Sequence, residues 1–175
     1  NFIPRFYVCG SSESGKTQFT AELVLKSKFL FVNPPKKIYF FSKLISSLPN
    51  SIKHLVEFKS NLPDSSFSEN QTREVVWIII DDQYCDAMNS SVVLDLFTSG
   101  RHENIGCILI SQNFFAQAKY QRGIMLNLNA IVLLRSCRDL NFLKVLGRQL
   151  NPSDGDKLCN IYTQFINKPY KHLFI

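Results

Sequence analysis

Arg5 to Phe19 reads R-F-Y-V-C-G-S-S-E-S-G-K-T-Q-F, and this stretch decides the fold. Phe6, Tyr7, Val8 and Cys9 form a short apolar run of the kind that makes a buried strand. Gly10 to Thr17 then fits G-x-x-x-x-G-K-[ST], a phosphate-binding loop, and apolar residues at helical spacing (Phe19, Leu23, Leu25) follow at once. Strand, loop and helix therefore occur in the order that the motif needs. Glycines let the backbone wrap a polyphosphate, and successive N–H groups form an anion nest. The helix N-terminus adds its positive end. Gly10, Ser11, Ser12, Glu13, Ser14, Gly15, Lys16, Thr17 and Gln18 are the expected nucleotide-binding stretch. Lys16 is expected on the outer phosphates and the Thr17 hydroxyl on Mg²⁺. The expected ligand is a nucleoside triphosphate.

Val75-Val76-Trp77-Ile78-Ile79-Ile80-Asp81-Asp82 is the second landmark. Six consecutive apolar residues fit a strand covered on both faces of a parallel sheet. The two carboxylates fall at the sheet edge where such folds bind their ligands. Asp81 takes the Mg²⁺-binding part and Asp82 that of the base that activates water. One of the pair could instead cap the next helix. Ile105 to Asn113 (I-G-C-I-L-I-S-Q-N) reads as another buried strand with polar residues at its end. If it lies between the other two strands, Gln112 at its tip can sense the γ-phosphate or orient the attacking water.

The remaining elements follow from local signals. Pro34-Pro35 ends the first helical region and sends the chain out extended into a strand at Ile38 to Ser42. Ser46 to Asp64 reads as a short helix, or a helix plus a strand. Pro63 to Arg73 is a polar loop or short helix. Met88 to Thr98 is expected as one helix ended by Gly100, Phe114 to Arg122 as a loop with a helical turn, and Leu128 to Leu134 as a strand. Asp139 is expected to cap a helix through Leu150. Asn151-Pro152-Ser153-Asp154 looks like the start of a last helix running to about Ile166, before a final strand at Leu173 to Ile175. This alternation implies a three-layer α/β fold, a mainly parallel central sheet flanked by helices, in one domain over residues 1–175.

Composition narrows the class. The 175 residues are 45% apolar and include fifteen phenylalanines, enough for a substantial interior. No apolar run reaches the length of a membrane span, and no signal peptide is visible. The chain begins at Asn1, which reads as a fragment or trimmed domain. A net charge of +6 is compatible with a nucleic-acid partner. Cys9, Cys85, Cys107, Cys137 and Cys159 are scattered singly, so neither a zinc site nor a disulfide framework is expected, and the setting reads as reducing and intracellular.

Beyond the loop and the acidic pair, several segments carry a further signal: L-F-T-S-G-R-H-E-N-I (Leu96 to Ile105), S-Q-N-F-F (Ser111 to Phe115), R-G-I-M-L-N (Arg122 to Asn127), Arg138-Asp139 and the terminal K-P-Y-K-H-L-F-I. With these, the chain resembles, nearly end to end, the viral genome-packaging ATPases of the FtsK–HerA type found in poxviruses, other large DNA viruses and Polinton/Maverick elements. The resemblance implies that the α/β sheet is RecA-like, of the P-loop NTPase kind, with ATP and Mg²⁺ as ligands. It also implies a homo-oligomeric ring, pentamer or hexamer, that translocates double-stranded DNA toward capsid or portal components. The setting would be an infected cell's cytoplasm or nucleus, or the virion. Hydrolysis would take place between subunits with an arginine donated in trans, Arg101 by its spacing to Gln112, with Arg122 as second candidate. Many relatives carry glutamate where this chain has Asp82. DNA contacts would come from pore loops, with Lys36, Lys37, Lys53 and Lys119 as carriers. A phosphate-loop nucleotide or small-molecule kinase, and an ATP-binding subunit without its own turnover, are the alternatives.

Overall fold

Strands covered on both faces have no solvent side, and two here are buried along their whole length: β4 (Val76–Asp81) and β5 (Ile105–Ser111). A computed structural model of the protein describes residues 2–65, 67, 74–112, 118–135, 140–166 and 171–175. Beside these strands stand β1 (Arg5–Cys9), β2 (Lys37–Phe41), β3 (Glu57–Lys59), β6 (Ala130–Leu134) and β7 (His172–Phe174), in the order β3-β2-β4-β5-β1-β6-β7. The neighbouring pairs are parallel except β6 and β7, which run antiparallel. β5 thus lies between the phosphate-loop strand and the Asp-bearing strand, as the sequence suggested.

Because side chains alternate along a strand, β4 sends Trp77 and Ile79 to one face and Ile78 and Ile80 to the other. On the first face, helix α1 (Lys16–Leu25) buries Ala21, Leu23 and Val24 against Val8, Ile108 and Val132. On the second, α3 (Tyr84–Asn89), α4 (Ser91–Thr98), α5 (Gln121–Leu126), α6 (Asn141–Leu150) and α7 (Lys157–Phe165) cover Tyr7, Leu109 and Leu133. A one-turn helix, α2 (Ser27–Leu30), follows α1. The result is a three-layer α/β architecture. Ile78, Ile79 and Ile108 are wholly buried, each stabilising the fold by roughly 1.5–3 kcal/mol relative to exposure.

Two local expectations are corrected, and one open choice is settled. The helix anticipated over Met88 to Thr98 is two helices, because the Ser90 hydroxyl accepts the Val93 N–H at 3.3 Å and starts a fresh helix. The last helix begins at Lys157 rather than at Asn151. Asn151 Oδ1 instead accepts from the Ser153 N–H and hydroxyl, closing a turn, and Asp154 Oδ1 accepts the Lys157 N–H at 3.1 Å. The ambiguous stretch before residue 60 resolves into two 3₁₀ turns, Ile45–Ser47 and Asn50–Ile52, followed by β3. The Asp139 cap, Cys137 and most of the Phe114 loop lie outside the described residues. Cys9 and Cys107 are buried among apolar side chains. Among the described residues no helix is long and apolar enough to cross a membrane.

Candidate nucleotide-binding site

The parallel register brings the carboxyl ends of β1, β4, β5 and β6 level, since Cys9 pairs with Ser111 and Leu133, and Asp81 pairs with Ile110. The loop from Gly10 to Gly15 crosses this rim. Gly10 donates its N–H to the Ser111 carbonyl at 3.3 Å, and Ser11 donates both its N–H and its hydroxyl to the Arg135 carbonyl at 2.9 Å. The loop is therefore tied to the tips of β5 and β6. A Cβ on Gly10 would stand 2.9 Å from Leu134 Cβ, so this close approach requires glycine. Gly15 has φ 97°, and Glu13 takes the same left-handed region at φ 60°. These turns aim the loop into the start of α1, whose N-terminus carries no side-chain cap. Its first N–H groups are left for a ligand.

Lys16 is buried, and its Nζ donates to the Ser11 carbonyl at 2.7 Å, so the side chain arches back over the loop. Burial lowers its pKa, opposed first by the nearby Asp81. The Thr17 hydroxyl donates to Asp81 Oδ2 at 3.2 Å, joining the start of α1 to the tip of β4 across 64 residues of sequence. Asp81 is 3% exposed, and its pKa is pushed up to about 6, first by burial and then by the adjacent Asp82, against the Thr17 hydrogen bond and Lys16. A carboxylate held at that cost is one that a cation would relieve. Ser14 Oγ is also buried without a hydrogen-bond partner, inside the loop. The donor set of hydroxyl and carboxylate oxygens suits Mg²⁺, which takes few protein ligands beside substrate phosphates and water. Among the described residues no three His, Cys, Asp or Glu side chains gather into a metal site on their own.

Asp82 has φ 54°, a left-handed conformation that costs a non-glycine residue on the order of 1 kcal/mol or more. Its neighbours hold it there. Asp81 is fixed by Thr17, and the buried Gln83 donates its Nε2 to the Ser60 carbonyl at 3.2 Å, beyond the end of β3. Between these anchors Asp82 projects, exposed, into a cleft of about 350 Å³ shared with Gln112, Lys43, Cys85 and Asp86. Lys43 is drawn to Asp86 by a 2.7 Å ion pair.

The structure thus brings together Gly10 to Thr17 with Asp81, and Asp82 with Gln112. Ser12, Glu13 and Gln18 lie exposed around the loop. Arg101 and Arg122 are not part of this cluster. Arg101 belongs to the 3₁₀ turn Gly100–Glu103 that precedes β5, at the opposite rim of the sheet, and its Nε donates to His102 Nε2 at 3.2 Å. Seven residues of β5 separate it from Ser111, roughly 20 Å of strand. Arg122 is exposed on α5, on the helical layer. The sequence reading missed Lys43 and Gln83, whose only cue was their place just after β2 and β4. It also missed the Arg135 carbonyl, which carries no side-chain signal.

No protein-family model matches the chain, and no curated protein does. Among solved structures, the genome packaging NTPase B204 from Sulfolobus turreted icosahedral virus 2 in complex with ATP-gammaS is similar over 97% of this chain and 90% of its own, with a TM-score of 0.63 at 16% identity. Its complex with AMPPCP gives a TM-score of 0.59 at 15% identity over the same shares. Along nearly its whole length, the chain thus has the fold of these B204 structures.

Proposed function

We propose that residues 1–175 form one P-loop ATPase unit that hydrolyses ATP to move double-stranded DNA, packaging a viral genome. The observation that carries this reading is the Thr17–Asp81 hydrogen bond, with Asp82 and Gln112 sharing the cleft beside it. The B204 structures, solved with ATP analogues, support ATP as the nucleotide and packaging as the process.

In this reading Gly10 to Gln18 wrap the phosphates with backbone N–H groups, and Lys16 releases Ser11 to neutralise the outer ones. Thr17 and Asp81 would hold Mg²⁺, which supplies charge neutralisation on the phosphates when bound. Asp82 takes a proton from water, whose oxygen attacks the γ-phosphorus as the bond to the bridging oxygen breaks and ADP leaves. Gln112 orients that water or senses the γ-phosphate. Charge that develops on the transferred phosphoryl group needs a further cation. Arg101 stands at the far rim from its own cleft and Arg122 does not line it, so in this reading one of them acts on a neighbour's site, in a homo-oligomeric ring of five or six subunits. Lys36, Lys37, Lys53 and Lys119 are exposed or half-exposed, with Lys37 engaged by Glu57 at 3.1 Å. Lys36, Lys53 and Lys119 are the better carriers of DNA contacts at the pore. Capsid or portal components would be the partners, in the infected cell or the virion.

The test is steady-state ATP hydrolysis with and without double-stranded DNA over a range of protein concentrations. Turnover should rise with both. A rate per subunit independent of both, or one that needs a small acceptor molecule, would move the assignment to a monomeric kinase. Tight ATP binding with no turnover in any assembled state would assign an ATP-binding subunit.

A further inference from the structure

The rim that carries the phosphate loop has two unlike sides. Toward β4 and β5 lie Asp81, Asp82 and Gln112; toward β6 and β7 lies an aromatic pair. Phe19 sits in the first turn of α1, its N–H bonded to the Gly15 carbonyl at 2.8 Å, two residues after Thr17. His172 opens β7 and pairs with Leu134, the residue before Arg135, whose carbonyl holds Ser11. Their rings meet edge to face, 4.7 Å between centroids and 61° between planes. Phe19 is half-buried against the core beneath α1, which fixes its position, whereas His172 is exposed.

Sheet order turns this asymmetry into a direction. Lys16, Thr17 and Asp81 mark where the outer phosphates and their metal lie, on the β4 side of the loop. A nucleotide whose last phosphate points toward β4 lays its nucleoside the other way, across the tips of β6 and β7. We infer that Phe19 and His172 form the platform on which the base of the bound nucleotide stacks. This rests on the nucleotide-binding reading above and adds a specific subsite to it. Base–aromatic stacking is tolerant of base identity, since every base has a π-face, so the platform contributes affinity for the nucleoside as such. The partly buried ring of Phe19 backs the imidazole, limiting the entropy lost when a base settles on it.

The test compares Mg·ATP with inorganic tripolyphosphate, which has the phosphates without the nucleoside. Dissociation constants for both are measured on the full chain for the wild type, His172→Ala and His172→Phe, together with melting temperatures. His172→Ala should weaken ATP about tenfold, the scale of one stacked base, and leave tripolyphosphate within about twofold. His172→Phe should restore ATP binding. Phe19→Leu, which keeps apolar volume under α1, should also weaken ATP selectively. Equal losses for both ligands, or a lowered melting temperature with His172→Ala, would show that the pair merely staples α1 to β7. Unchanged ATP affinity in His172→Ala would remove the platform while leaving the nucleotide reading intact. A wild type that binds neither ligand would overturn that reading, and the platform with it.

Discussion

The two rims of the sheet differ in how they hold charge. At the carboxyl rim polar groups are buried and strained: Lys16 and Asp81 are nearly inaccessible, Ser14 Oγ lacks a partner, and Glu13 and Asp82 hold left-handed backbone. At the amino rim Arg5 at the start of β1 has a buried Nε without a partner, and Asn104 before β5 also holds left-handed backbone, but Arg101 is solvated and Lys37 is paired with Glu57. Exposed ion pairs of that kind contribute little to stability. What sets the carboxyl rim apart is therefore a buried carboxylate beside a buried ammonium, Asp81 and Lys16, while left-handed backbone occurs at both rims. Two buried charges of that kind are a feature that a bound polyphosphate and cation would stabilise.

Substitutions at the two rims should therefore fail differently, and the largest difference is in turnover. Arg101→Ala should leave the melting temperature unchanged yet cut hydrolysis by the assembled ring about a thousandfold, and mutant subunits should poison wild-type rings out of proportion to their fraction. A strictly linear dependence in mixing experiments would place Arg101 outside any shared site. Lys16→Ala removes the buried cation and should lower turnover by about several hundredfold, with weakened nucleotide binding. Unchanged hydrolysis would break the reading of the carboxyl rim. Asp82→Asn should keep ATP bound while slowing hydrolysis about a hundredfold; lost binding instead would reassign Asp82 to the metal.

Smaller effects concern stability. Because the folded-state pKa of Asp81 is raised from 3.8 to about 6, the native protein holds its proton more tightly than the unfolded chain. Stability without nucleotide should then fall as pH rises from about 4 to 6, by on the order of 2 kcal/mol, and Asp81→Asn should flatten this slope in denaturant titrations while abolishing Mg²⁺-dependent turnover. The slope should shrink in the wild type when Mg·ATP is present. Last, Asp82→Gly relieves the left-handed backbone and should raise stability by about 1 kcal/mol or less, offset in part by glycine's greater freedom when unfolded. No gain would mean that the anchors at Asp81 and Gln83 impose no strain.

Much of this was legible in the residues because the governing interactions are local. Gly10 to Thr17 is contiguous, and its glycine spacing encodes the loop whatever surrounds it. The unbroken apolar run of β4 announced a strand covered on both faces, with its carboxylates at the tip. Where local signals compete, the reading slipped. Asn151-Pro152-Ser153-Asp154 carries helix-start residues, yet Asn151 closes a turn and the helix begins only at Lys157. Ser90 split a periodic stretch that apolar spacing alone runs together.

The sequence by itself determined the phosphate loop, the acidic strand tip and the alternation that makes an α/β fold, since each depends on neighbours within a few positions. Only the tertiary structure decided which distant groups meet. It set Thr17 against Asp81 across 64 residues, Ser11 on the Arg135 carbonyl across 124, and Phe19 against His172. It also separated Arg101 from Gln112, a short distance in sequence but the full length of β5 in space. Strand order and register fix such meetings, and they arise from burying whole sheet faces, an energy shared by many residues and written in no single one of them.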